Sequence, residues 1–524
     1  MYQKHPELRS SNIDAQSPGT TNTTQHQSFS PSVLSPTAFT IYKNGHLQSS
    51  TSQGAITPKW WTAITEADQE NLSPVSQWEK RCSIPSASVI SSIHDTCDKE
   101  VGPQLVQIAQ DNRERGHHDE MTEPDTDPEL LASADDPQVN LLPFYSKVAR
   151  RQYSVERALS FYHTCFSNIT LTYEVDSRIN PWQAALVHIH DEIPVVRWSA
   201  LALARRQLAH LSNQFEGASV LRLKDRILIE FASRLYDIPF AAVVSTALLL
   251  IALEYAESGF SKWGVHLRGA YNVLEYHGGI EVARDMPHVQ SQIVMLLWYD
   301  LTTAMLSRAG PIFPRHYVEK LVSWQPGAGW SLLALNGQSD KVFLDMYDVT
   351  AAAAHAKSFS KQSIARLEKK ILDAKLDDCG NRSIFLMAEA WKLTLLLYCL
   401  RVFRHKEDPN ATAAKCHAVA TYILTNIAML PRDSFYQKQC LLPITLAASE
   451  MSTTQEDLRL RKAAQDYYRW WKDKSGMWIF DSGMDFVTTV WRQNDAVNEN
   501  SIDGLRISWT DIFAPDVESG FLFG

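Results

Sequence analysis

The chain has 524 residues, 45% hydrophobic and 21% charged, which is enough to bury a sizeable core and to fill more than one domain. A net charge of −9 and a pI of about 6.0 argue against a surface that neutralises DNA phosphates unaided. Seven scattered cysteines with no CxxC pair cannot bring four thiolates onto one metal ion, and they fit a reducing compartment.

Residues 1 to about 140 differ from the rest. The first 58 are rich in Ser, Thr, Gln, Asn and Pro, a composition that cannot offset backbone entropy by burial, so a disordered arm is expected. An acidic run follows from Asp119 to Asp136, without a basic residue and with Leu130 and Leu131 embedded. Its composition suits either an activation segment or a solvated linker. No apolar run near the start suggests a secretory signal, so the Asn-x-Ser/Thr sequons at Asn22, Asn71, Asn168 and Asn410 are read as chance matches. The longest apolar stretch, Ile238 to Leu253, contains Ser245 and Thr246 and is short for a membrane span; it reads as a buried core helix, and no membrane is expected as a partner.

From about 145 the pattern is helical, and an all-α domain is predicted over 145–515, with 516–524 as a tail. Asn180-Pro181 reads as a helix start, with Trp182, Ala185, Leu186 and Ile189 on one face and Pro194 as a stop. The next helix carries Trp198, Leu201, Leu208 and Leu211. Ser261 is a candidate cap for a helix with Trp263, Leu267, Ala270, Tyr271 and Leu274 on one side, stopped by Gly278-Gly279. Another helix starts near Val289 and carries Leu297, Leu301 and Met305, then Pro311 to Pro314 forces an extended stretch. Further helices read at about 359–376, 384–404, 411–429, 438–450, 455–473 and 481–493. No long period-two alternation suggests a sheet, and fifteen Trp suggest large packed helix interfaces.

The segment LIALEYAESGFSKWGVHLRGAYNVLEYHGG at 250–279, followed by IVMLLWYDLTTAMLSRAGPIFPRHY, resembles the large helical regulatory domain found behind zinc clusters in fungal transcription factors. IPVVRWSALALARRQLAHLS upstream, AEAWKLTLLLYCLRVF, LLPITLAASE and DFVTTVWRQND downstream extend the resemblance over about 145–515. The signature residues are Trp263, His266, Leu267, Gly269, Ala270, Gly278, Gly279, Trp298, Tyr299, Asp300 and Pro314. The resemblance implies a nuclear transcriptional regulator whose partners are other regulators or the transcription machinery, with a small-molecule effector and a homodimer as further candidates. Complete family members carry a six-cysteine zinc cluster with a basic stretch. Here residues 1–140 hold only Cys82 and Cys97, so no DNA-binding residue carries over, and zinc would enter only with an upstream module. The alternative is a co-regulator or scaffold without DNA contact, one that serves a metabolic gene cluster.

Two readings stand side by side at the signature helix. Trp263 and His266 suit a small-effector pocket, or a packed Trp beside a hydrogen-bonded His. Gly269-Ala270 admits a neighbouring helix closely, and Gly278-Gly279 lacks the context of a phosphate loop. His188 and His190 point to different helix faces, and His117-His118 lie in the arm, so neither pair is read as a metal site. Arg205-Arg206 and the Arg459, Arg461, Lys462 group read as solvated faces. Asp377-Asp378 and Asp135-Asp136 lack DDxxD spacing, Asn494-Asp495 lacks the following Ser and Glu, and no GxSxG, HExxH or kinase set is present. The chain is read as non-enzymatic, with an all-α metal-dependent enzyme as the distant alternative.

Overall fold

Helix starts are written along the chain as capping side chains, and the computed structural model shows them used. It describes residues 155–524 apart from 174, 191–192, 213–217, 375, 377–379, 406–408, 501–506, 514 and 516–519. The expected arm with its acidic run, His117-His118, Asp135-Asp136, Asp377-Asp378 and the side chains of His188 and His190 lie outside the described residues.

Helix α1 (residues 155–169) contains a π-helical turn at Tyr162–Phe166. Asn180 then accepts hydrogen bonds from the backbone N–H groups of Trp182 (3.0 Å) and Gln183 (3.3 Å), as its cap reading requires, and α2 runs Ala184–His190. Pro194 occupies the first turn of α3 (Pro194–Leu211), where its missing N–H costs nothing. Next come α4 (Ala218–Arg234), α5 (Phe240–Glu257), a two-residue strand β1 (Phe260–Ser261) and α6 (Trp263–Tyr276). Gly278 and Gly279 stop α6 with φ of 107° and 73°, conformations that side chains resist. Helix α7 (Pro287–Ser307) starts two residues before the expected Val289, because Pro287 serves as its first-turn residue.

The second half contains α8 (Arg315–Trp324), α9 (Leu332–Asn336), α10 (Asp340–Ala354), α11 (Lys361–Leu372) and α12 (Arg382–Cys399), which continues as a π turn over Leu400–Arg404. After these come α13 (Pro409–Ala428), α14 (Phe435–Lys438), α15 (Leu441–Ala448), α16 (Gln455–Ser475), α17 (Ile479–Asn500), α18 (Trp509–Ile512) and strand β2 (Gly520–Phe521). Ser331, Ser339, Ser360, Asn381, Ser434, Thr454 and Ser508 each cap the helix that follows them by accepting a backbone N–H. Such a cap stabilises its helix by about 1 kcal/mol.

Helix α5 is apolar on nearly every side because α2, α3, α6, α7 and α17 all pack on it. It and the α12 segment Arg382–Arg404 are the two described helices long and apolar enough to cross a membrane, yet 83% and 56% of their apolar windows lie inside the body. A second layer groups α12, α13 and α15. The two are joined through α16 and its end: the Gln207 amide donates to the Ser475 carbonyl (2.6 Å), and the Trp478 N–H donates to the Ala256 carbonyl (3.0 Å).

Four sequence readings need correction. Ser261 does not cap α6; it sits in β1 and turns its hydroxyl toward the Glu254 carboxylate. Arg206 is fully buried, paired with Glu257 at 2.9 Å and donating to the Leu253 carbonyl at 2.6 Å, so it is no solvated cation. Arg461 is buried too, forked onto Asp495 by two 2.9 Å bonds. The described end of the supposed tail is part of the domain: Phe260 and Ser261 pair antiparallel with Phe521 and Gly520, and Leu522 and Phe523 are wholly buried. Apolar Phe523 repays strand-like ordering by entering the Phe486, Phe513, Phe521 aromatic cluster.

Candidate functional site

The two faces of α6 have different fates. One face carries Trp263, Leu267, Ala270 and Leu274 into the core, and Trp263 donates its indole N–H to the Gly259 carbonyl at 3.4 Å. His266 is buried near Glu254 and makes no hydrogen bond among the described residues, so Trp263 meets the packing reading while the expected partner of His266 is not there. Burial alone would raise the Glu254 carboxyl, but Lys224, His266 and Arg206 outweigh it and hold the group down to about 2. Gly269 and Ala270 are buried on this side.

The opposite face of α6 borders a cavity of about 390 Å³, which falls in the size range of small-molecule sites. Gly264, Arg268, Tyr271 and Asn272 line it from α6. Asp300, Thr303, Ala304 and Ser307 face them from α7 at helical spacing. The loop Ala309 to Ile312 closes a third side.

Asp300 builds this loop. Its carboxylate accepts the Ile312 N–H at 3.0 Å from each oxygen and the Phe313 N–H at 2.9 Å. The side chain is 2% exposed. Burial pushes its carboxyl up to about 7, against the opposing pull of those two N–H groups and of the Arg268 charge. Loop geometry is set from the other end by Arg308, which ends α7 in a left-handed conformation at φ 55°. Such a conformation costs about 1 kcal/mol or more outside glycine. The Arg308 guanidinium is held by the Thr510 carbonyl (2.8 Å) and the Phe513 carbonyl and lies over the Trp509 ring, which keeps it there. Gly310, at φ 86°, and Pro311 then turn the chain back across α7.

Among the signature residues, Asp300 alone lines the cavity. Trp298 packs edge-on against Trp391 at 5.0 Å, Tyr299 lies 5.6 Å from Tyr255, and Pro314 leads into α8 as its cap residue. Gly279 ends α6 away from the cavity lining. Arg268, Asn272, Thr303 and Ser307 were not singled out by sequence reading, and Tyr271 was counted as core. Arg268 and Asn272, four apart, put two polar side chains on one face of α6, and that spacing is the signal the sequence carries. No group of three or more His, Cys, Asp or Glu able to hold a metal occurs among the described residues.

The fold and site together define an all-helical domain with a polar cavity between two of its signature helices. By sequence, the chain belongs to the family described as the fungal specific transcription factor domain, whose family model matches residues 157–524. That span includes β2 and reaches past the 515 boundary read from sequence. The curated proteins give no match, and neither do the solved structures.

Proposed function

We propose that this chain regulates transcription in the nucleus through its helical domain, which responds to a small molecule held between α6 and α7 and passes the response on by protein contacts. The observation that carries this reading is the family match over the whole helical body, taken with a polar cavity built by two helices of the signature segment. A net charge of −9 and singly placed cysteines favour action beside a DNA-bound partner over direct reading of bases by these residues, and they are the observation that supports the co-regulator reading as the alternative.

The test tethers the full chain to an unrelated DNA-binding domain upstream of a reporter gene in a fungal host. A several-fold change in reporter output, in either direction, relative to the DNA-binding domain alone is expected. Unchanged output together with exclusion of a fluorescent fusion from the nucleus would refute the reading.

A further inference from the structure

The cavity lining is short of partners in one chemical sense. Arg268, Tyr271 and Asn272 project from one face of α6, and none makes a hydrogen bond or ion pair among the described residues. Across from them Thr303, only 8% exposed, has a buried hydroxyl with no hydrogen-bond partner. Buried or half-buried polar groups are normally paired, and leaving one unpaired costs about 1–3 kcal/mol. Half-buried Tyr271 and Asn272 and buried Thr303 around one cavity, with the exposed Arg268 beside them, mark a place where a ligand supplies the missing partners.

The charge balance narrows the ligand. Arg268 is the only cation of the lining, and Asp300 sits within its electrostatic reach. Both Asp300 oxygens are already engaged by the loop N–H groups, so its role is to hold the wall. One guanidinium beside one carboxyl accommodates a single added negative charge; a phosphate dianion would face Asp300 with only one cation to neutralise it. The phenol, amide and hydroxyls suit oxygen substituents on the ligand body, while Ala304, Pro311 and Ile312 offer apolar contact.

We infer that the α6–α7 cavity binds a small hydroxy- or keto-monocarboxylic acid, with the carboxylate on Arg268 and the oxygenated body between Asn272, Tyr271 and Thr303. This rests on reading the cavity as the effector site, and it adds the ligand class and the residue that reads its charge.

The experiment is isothermal titration of the purified full chain with phenyllactate, mandelate and 4-hydroxybenzoate, with the corresponding amides and phenyl phosphate as comparators. At least one acid should bind at one per chain, and its amide at least tenfold more weakly. Arg268→Gln, at an exposed position, should erase the difference between acid and amide. Binding of no acid at millimolar concentration, equal binding of acid and amide, or undiminished acid binding by Arg268→Gln would each overturn the inference. Phenyl phosphate binding more tightly than every acid would overturn the monocarboxylate assignment. A chain that binds an acid through Arg268, yet leaves the tethered reporter unchanged and is excluded from the nucleus, refutes the regulatory reading alone. One that moves the reporter but binds no acid refutes the site alone.

Discussion

Asp300 should make the domain lose stability as pH rises through neutrality, the reverse of what most folded carboxylates do. An ordinary Asp in the unfolded chain titrates near 3.8, and this one in the fold is pushed to about 7 by burial. Between those values the folded state holds a proton that the unfolded state has released, so the Asp300 contribution falls with pH. It is most favourable below about pH 4 and its decline is complete a little above pH 7. From pH 5 to pH 7 the loss is about 2 kcal/mol, since two pH units correspond to about 2.7 kcal/mol and the upper end is only half titrated. The groups facing Asp300 are Arg268 from α6 and Tyr347 from α10. Burial raises the Tyr347 phenol above its ordinary 10, so it stays neutral across this window. The assay is urea unfolding of the full chain and of Asp300→Asn at half-unit steps from pH 5 to 8, followed by circular dichroism. Because all other titrations are common to both proteins, the difference between the two curves isolates Asp300. The wild type should lose about 2.6 kcal/mol relative to the variant over that range, most of it below pH 7. Parallel curves, or a wild type that gains on the variant as pH rises, would refute the argument.

Three other outcomes follow from buried groups elsewhere in the domain. Arg401 and Glu450, each 3% exposed in the side chain, form a forked pair joining the π turn after α12 to the end of α15. Arg401→Met should cost about 3–5 kcal/mol in urea unfolding, and Arg401→Met with Glu450→Leu should recover most of it; a double variant as unstable as the single would sink this account. Burial lowers the Lys438 ammonium to about 7, and a backbone carbonyl, Ile169, receives its hydrogen bond. The cost of burying this base is full below pH 7 and vanishes toward pH 10.5, so Lys438→Met should stabilise the domain at pH 7 by up to about 4 kcal/mol and lose its advantage near pH 10. No gain at pH 7, seen as an unchanged thermal midpoint, would contradict it. Finally, Phe523→Ala empties a wholly buried site against Phe486 and should cost about 3–5 kcal/mol, with the emission of Trp298 and Trp509 shifting as β2 loosens; a cost below about 1 kcal/mol would mean that the C-terminal strand does not hold the core.

What the sequence by itself determined is local. Apolar positions at helical spacing, prolines at first turns, and Ser, Thr or Asn caps specify where helices start, because each works through atoms within a few residues. Asn180, Pro194, Gly278 and Gly279 act where their sequence context says they should. The family, too, is legible in the order of short segments around α6 and α7, and the match over 157–524 agrees with it.

The tertiary structure decided which of two plausible faces each helix keeps. Trp263 and Arg268 are five residues apart on α6, and only the packing of α7 shows that the Trp side is sealed and the Arg side borders a cavity. Arg206 and Arg461 look like surface cations in the sequence because their partners, Glu257 and Asp495, lie tens of residues away. Gly520 to Phe523 read as a tail for the same reason. Their strand partners at Phe260 and Ser261 are separated from them by most of the domain, and pairing at that distance leaves no periodic mark on the chain.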